Sequence, residues 1–288
     1  MKKVICHLLP VLLATSAYAQ SPPKETVSWA IVTEPPITYE ENGEFRGYGV
    51  EYIKMIQAEL PQYHHVIYLA GNYKRLTNDV IAGPLTAAIG LFKTDERLHV
   101  MHFAKVPAFY FFNIQLAMRQ ETYKALKSPE QLSLHSILKD SNYVLGTSNG
   151  RKYSQEIQQI LEDKTNRSSV NVFSQGNVSR SLLQMLDAGR IDFTLLYPEE
   201  ASYLAINENR KSKIITVPLT ETEMLSYSWP VVTKNAKGEK LASEITEALI
   251  KIRRQRKYRD LYKAWVSTNN HKKYDYNFSK NFLTVYED

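Results

Sequence analysis

Along residues 27–91, short apolar runs alternate with stripes at helical spacing, the signature of strands separated by helices. Val27 to Val32 is an apolar, β-branched run stopped by Pro35-Pro36. Asn42-Gly43 marks a tight turn. Val50, Ile53, Ile56 and Leu60 then recur at helical spacing until Pro61 ends the stripe. His64-His65 falls in the loop beyond that proline, and Val66 to Leu69 reads as the next strand. Leu76, Val80 and Ile81 predict a short helix closed by Gly83-Pro84, and Thr86 to Leu91 a third, buried strand.

The same order returns further on. Tyr143 to Leu145 predicts a strand, and Lys152 to Leu161 a helix with Tyr153, Ile157, Ile160 and Leu161 on one face. Val170 to Phe173 predicts the next strand. Asn177 is placed to cap a helix carrying Leu182, Met185 and Leu186, with Gly189 as its stop, and Ile191 to Leu196 is a third strand. Strands separated by helices of this length imply βαβ units and parallel sheets, hence two α/β lobes.

Two extended runs lie outside the blocks, Ala108 to Met118 and Tyr227 to Thr233. They predict two crossings between the lobes, so that the chain returns to the first lobe and makes a two-stranded hinge. Ser128-Pro129-Glu130-Gln131 has the form of a capping box with proline at the first helical position. Leu241, Ile245, Leu249 and Ile252 mark one face of a late helix ending near Trp265. The expected fold is therefore α/β and two-lobed. Residues 26–115 and 226–266 form a discontinuous first lobe, 116–225 the second, and 267–288 a polar C-terminal tail.

The first residues change the picture of where the protein works. Lys2-Lys3, the apolar stretch Val4 to Leu13 and Ala17-Tyr18-Ala19 fit a secretory leader cut after Ala19, leaving an exported, periplasmic chain. The apolar stretch is too short for a stable bilayer anchor, and no later segment is a better candidate for a membrane span. Cys6 is the only cysteine and lies in the leader, so the mature chain has no disulfide, thiolate nucleophile or cysteine metal site. Losing Lys2 and Lys3 leaves 34 basic residues of the original 36 against 30 acidic ones, a net charge of +4. So mild a charge calls for no nucleic-acid partner. No metal or other cofactor is expected either: His99 and His102 have no carboxylate at ligand spacing.

Four short motifs, in order, point to a family. Pro35-Pro36-Ile37-Thr38-Tyr39 with Asn42-Gly43 and Gly47-Tyr48-Gly49-Val50 resembles the opening of the family 3 periplasmic solute-binding proteins. Thr94-Asp95-Glu96-Arg97 followed by His102-Phe103-Ala104 resembles that family's Thr-x-Glu-Arg signature. Val144-Leu145-Gly146 with Asn149-Gly150 resembles the strand and turn opening its second lobe, and Gly189-Arg190-Ile191-Asp192 its Gly-Arg-x-Asp stretch. The resemblance spans roughly residues 26–266. It implies a type II periplasmic binding fold that captures a small solute between its lobes, as a monomer, for an inner-membrane ABC permease or a sensor.

The resemblance also implies a site. Arg97 matches the arginine that clamps a ligand carboxylate, a task suited to a planar guanidinium with parallel donors. Gly90 and Phe92 belong to the strand and loop before it, and Glu34 is counted with them among the expected ligand-binding residues. Asn149, Gly150 and Arg151 would meet the ligand from the second lobe, where backbone N–H groups can face an anion. Tyr39, Phe92 and Tyr197 would supply aromatic walls. The chain departs from the amino-acid receptors at Tyr197, where they place an acid, and at Phe92, where they place a hydroxyl residue. Glu199 and Glu200 are expected to begin a solvated helix, and Arg253, Arg254, Arg256, Lys257 and Arg259 to form a solvated basic face.

Two enzymatic alternatives stay open. On the same fold, Glu34 or Glu199 would serve as acid or base in a cyclohexadienyl dehydratase-like lyase, given a pKa raised by burial. Gly146-Thr147-Ser148-Asn149-Gly150 satisfies Gly-x-Ser-x-Gly, but a hydrolase would then depend on His271, the only histidine after Ser148. A domain sensing cell-wall fragments would need a cleft too open to enclose a solute.

Overall fold

The computed structural model describes residues 23–140, 142–148, 151, 153–166, 169–173, 178–207 and 212–286. The leader, Asn149, Gly150 and the cap expected at Asn177 lie outside these residues.

The first block runs β1 (Thr26–Ile31), the hairpin β2 (Tyr39–Glu41) and β3 (Glu44–Arg46), α1 (Tyr48–Glu59), β4 (His64–Leu69), α2 (Tyr73–Ala82), β5 (Thr86–Leu91), α3 (Asp95–Val100) and β6 (Met101–Phe103). The crossing follows as β7 (Phe109–Phe112) and β8 (Gln115–Arg119). The second block is α4 (Gln120–Ala125), α5 (Leu134–Lys139), β9 (Leu145–Ser148), α6 (Gln155–Glu162), β10 (Val170–Phe173), α7 (Val178–Asp187), β11 (Phe193–Leu196), α8 (Pro198–Asn207) and β12 (Ile214–Pro218). β13 (Leu225–Thr233) returns the chain to α9 (Ala236–Ile252), α10 (Arg256–Lys263) and α11 (His271–Asn277).

One sheet has the order β4-β1-β5-β13-β6 and the other β10-β9-β11-β8-β12. Each is built on a parallel three-strand block, β4-β1-β5 and β10-β9-β11, to which the returning strands pair antiparallel. β7 pairs with β13 through Tyr110 opposite Tyr227 and Phe111 opposite Ser226, so the two extended runs lie side by side at the hinge. Each lobe has its own apolar cluster. Trp29, Val50, Ile53 and Ile245 lie in the first, and Leu116, Leu145, Ile157 and Phe193 in the second.

Several local expectations shift. Ser128 takes φ +54° and caps nothing; Ser133 accepts the Ser136 N–H and starts α5 instead. The positive φ of Ser128 departs from the extended backbone a cap residue takes, whereas Ser133, at φ −95° and ψ 120°, has that backbone and bonds the first turn. Ser154 likewise starts α6 at Gln155, three residues later than Lys152. β9 lies later than Tyr143–Leu145, and Ile81 is exposed rather than on the buried stripe of α2. His64-His65 opens β4 rather than a loop, with His65 Nδ1 accepting the Trp29 indole N–H at 3.2 Å. The late helix breaks at residues 253–255.

The polar tail is no tail. Tyr274 of α11, with Phe278 and Phe282 in the turn after it, is buried in the first lobe's cluster, and Tyr110 stacks on Tyr274 at 4.4 Å. Arg253 belongs to this packing and not to a solvated face. It is 4% exposed, donates to the Phe282 carbonyl and lies over the Phe282 ring. Helical periodicity hid the segment because its aromatics are spaced among lysines and asparagines.

Candidate functional site

In a sheet of parallel strands, the loops leaving the carboxyl ends all open on one edge, and ligands collect there. Glu34 follows β1, Tyr73 follows β4, and Phe92 and Arg97 follow β5. On the other lobe, Arg151 follows β9, and Tyr197 and Glu200 follow β11. The topology thus turns residues far apart in sequence toward one cleft.

Arg97 is the third residue of α3, whose first turn is fixed by Thr94 Oγ1 accepting the Arg97 N–H. Its Nη1 donates to the Phe92 carbonyl at 2.8 Å, which curls the guanidinium back over its own loop. Among the described residues it forms no ion pair, and neither Asp95 nor Glu96 takes it up. Its charge acts on the nearby Tyr73 hydroxyl.

Tyr73 Oη donates to Glu34 Oε2. Burial raises the Glu34 pKa; the Tyr73 bond opposes the rise, Glu200 adds to it and Arg151 opposes it. That Glu200 and Arg151 act on Glu34 places the two lobes' charges close together. Gly90, φ +91°, donates its N–H to Ser228 Oγ at 2.8 Å, and a Cβ there would meet open space. Sequence reasoning missed Tyr73; its place just after a parallel strand was the available signal.

On the second lobe Arg151 departs from expectation. α6 starts at Gln155, so Arg151 stands in the loop before it and not at a helix start. It pairs with Glu200, Nη2 to Oε2 at 2.9 Å, and its guanidinium carbon lies 5.3 Å from the Tyr197 ring centre. Burial disfavours the Arg151 charge, but Glu200 more than offsets this and its pKa rises. Burial pushes the Tyr197 hydroxyl up to about 12.

The aromatic wall forms in part. Tyr197 meets Phe111 edge-on at 5.7 Å, and Phe111 lies 6.2 Å from Phe92. Tyr39 is not in this string; on its hairpin it packs 5.6 Å from Tyr203 of α8. Nor do Glu199 and Glu200 begin a solvated helix. Glu199 is 1% exposed, and Glu200 is held by Arg151.

A hollow of about 500 Å³, lined by Ser133, His135, Glu156 and Glu221, contains a carboxylate already satisfied by Ser133 Oγ and the His135 N–H. No group of three or more His, Cys, Asp or Glu among the described residues could hold a metal ion. The histidine that the hydrolase pattern would depend on, His271, lies in the first lobe's last helices with Nε2 against the Lys263 and Val266 carbonyls. Gly146 serves packing, since a Cβ there would come within 2.6 Å of Ile191 Cδ1.

Two mixed sheets flanked by helices, joined by paired hinge strands and facing each other across a charged cleft, define a type II periplasmic binding fold. The chain belongs to the bacterial extracellular solute-binding proteins, family 3, whose model matches residues 28–268. The L-cystine-binding protein TcyJ of Bacillus subtilis (strain 168) is 23% identical over 241 residues, covering 80% of this chain and 78% of that protein. The extracellular-binding protein ytmK of Bacillus subtilis aligns with TM-score 0.64 at 19% identity, covering 85% of this chain and 99% of its own. The second substrate-binding domain of Lactococcus lactis GlnP, in an open conformation, aligns with TM-score 0.60 at 17% identity, covering 85% and 97%. Members of the family are extracytoplasmic solute-binding proteins. No described helix is long and apolar enough to cross a membrane.

Proposed function

We propose that the chain, exported by its leader, captures a small carboxylate-bearing solute between its lobes and delivers it to an ABC permease. The observation that carries this is Arg97, a cation at the carboxyl edge of the first sheet with no carboxylate partner among the described residues. A solute carboxylate would complete its donor set. The proposed lobes run 26–115 with 226–266, and 116–225, and the burial of Tyr274, Phe278 and Phe282 in the first cluster supports adding 267–286 to the first. Closure favours the bound state because the second lobe, through Tyr197 and the Arg151–Glu200 pair, contacts solute only when closed. TcyJ's ligand makes cystine a first compound to try, alongside amino acids, organic acids and short peptides.

A thermal-shift screen of the mature protein tests the reading. A ligand at a hundred times its Kd stabilises by about 2.7 kcal/mol, which raises the melting temperature by several degrees. Failure of every carboxylate-bearing compound, with a response only to solutes lacking one, would overturn it. Binding rather than turnover is proposed: recovery of the hit unchanged after overnight incubation is expected, and its conversion would assign Glu34 an acid–base role.

A further inference from the structure

Glu199 is the second residue of α8, on the second lobe, yet its carboxyl lies inside the first lobe's aromatic core. Tyr262 Oη of α10 donates to Oε2 at 2.9 Å, and Tyr48 Oη of α1 to Oε1 at 3.4 Å. Tyr262 Oη in turn accepts the Phe112 N–H at 3.1 Å, from the last residue of the hinge strand β7. One turn further along α8, the Tyr203 ring lies 5.6 Å from Tyr39 and 5.9 Å from Trp265, both on the first lobe. One face of α8 is thus gripped at two successive turns, while Glu200 beside it serves the cleft.

Among the described residues no cation pairs with Glu199, so its ionised form would be a buried charge held only by two hydroxyl donors and its own backbone N–H. We propose that Glu199 latches the second lobe onto the first, and that lobe closure takes up a proton at this carboxyl. The latch is a property of the lobes alone; only its consequence, pH-dependent solute capture, rests on the function proposed above.

The tyrosines facing it supply no alternative in the relevant range, and Glu34, whose pKa burial also raises, is told apart by Glu199→Gln, which leaves Glu34 in place. Tyr48 and Tyr262 are pushed well above the ordinary tyrosine value by burial, then by Glu199 itself, and Tyr197 up to about 12 by burial. Glu200 adds to the rise at Glu199, while Glu34 acts on Tyr48. Burial pushes Glu199 up to about 8 from the ordinary 4.5. When the lobes part it regains water and its ordinary value. The closed state therefore holds the proton more tightly. Closure is fully favoured below about pH 4.5 and weakens, by up to about tenfold per pH unit, until about pH 8.

The mature chain has no cysteine, so two can be introduced for spin labels on exposed helix positions, Lys74→Cys on α2 and Gln184→Cys on α7. Distances between them, measured without solute from pH 5 to 9, should pass from one population to a second as pH rises. Glu199→Gln should hold the low-pH population throughout. Tyr262→Phe, which removes one donor and keeps the ring, should bring the second population in at lower pH, and serves if the Gln variant does not fold. Wild-type distances that ignore pH, or a Glu199→Gln protein that titrates like wild type, would overturn the latch. Neither result touches the thermal-shift test of the solute class.

Discussion

Arg151 meets Glu200 with two nitrogens, Nη2 to Oε2 at 2.9 Å and Nη1 to Oε1 at 3.4 Å. The pair ties the loop after β9 to the first turn of α8. It also offsets the Arg151 charge on the second lobe, which fits the proposal that Arg97 on the first lobe anchors the solute. Glu200→Gln strands a guanidinium that is 19% exposed. The expected loss is about 1–3 kcal/mol, below the cost at a fully buried pair because water still reaches both partners. Urea unfolding measures it, and an unchanged midpoint would show the pair to be neutral.

Arg97 should separate binding from stability. Arg97→Ala is expected to abolish the thermal shift given by any hit while moving the unliganded stability by less than about 0.5 kcal/mol. Arg97→Lys keeps the charge but not the fork and should recover only part of the shift. Full response from Arg97→Ala would reject the anchor.

The last helix should be structural. Phe282 is 1% exposed and packs on Tyr110 and Phe278. Phe282→Ala is expected to cost about 3–5 kcal/mol, read from denaturant unfolding. Its spin-labelled form should keep the wild-type pH response of the lobes at low denaturant.

Glu199 should also mark the pH dependence of overall stability. Its folded pKa of about 8 lies above the ordinary 4.5, so the native state binds the extra proton. The stability linked to it is fully present below about pH 4.5 and is lost as pH rises to about 8. Each pH unit in that window costs up to about 1.4 kcal/mol. Glu199→Gln should therefore gain on the wild type between pH 5 and 8. Parallel stability curves for the two proteins would refute this.

Much of the architecture was legible because it is local. Thr86–Leu91 is an apolar run whose burial in a sheet follows from composition alone, and Val170–Phe173 is a short β-branched run that forms an exposed edge strand; both strands fall where expected. The hinge followed from two extended runs lying outside the βαβ blocks. Helix starts were less legible. Ser128 and Ser133 can each cap, and only the surrounding chain selects between them.

The sequence by itself determined the two α/β blocks, the crossing strands and Arg97 at a strand's carboxyl end, since periodicity and loop position depend on near neighbours. Tertiary structure decided the rest. Glu199 and Glu200 are adjacent and chemically identical, and one is walled into the opposite lobe while the other neutralises Arg151. Tyr274, Phe278 and Phe282 became core because β7 and α10 present aromatic rings to them. Burial and pairing depend on which distant segments arrive at the same place, and no local pattern encodes that.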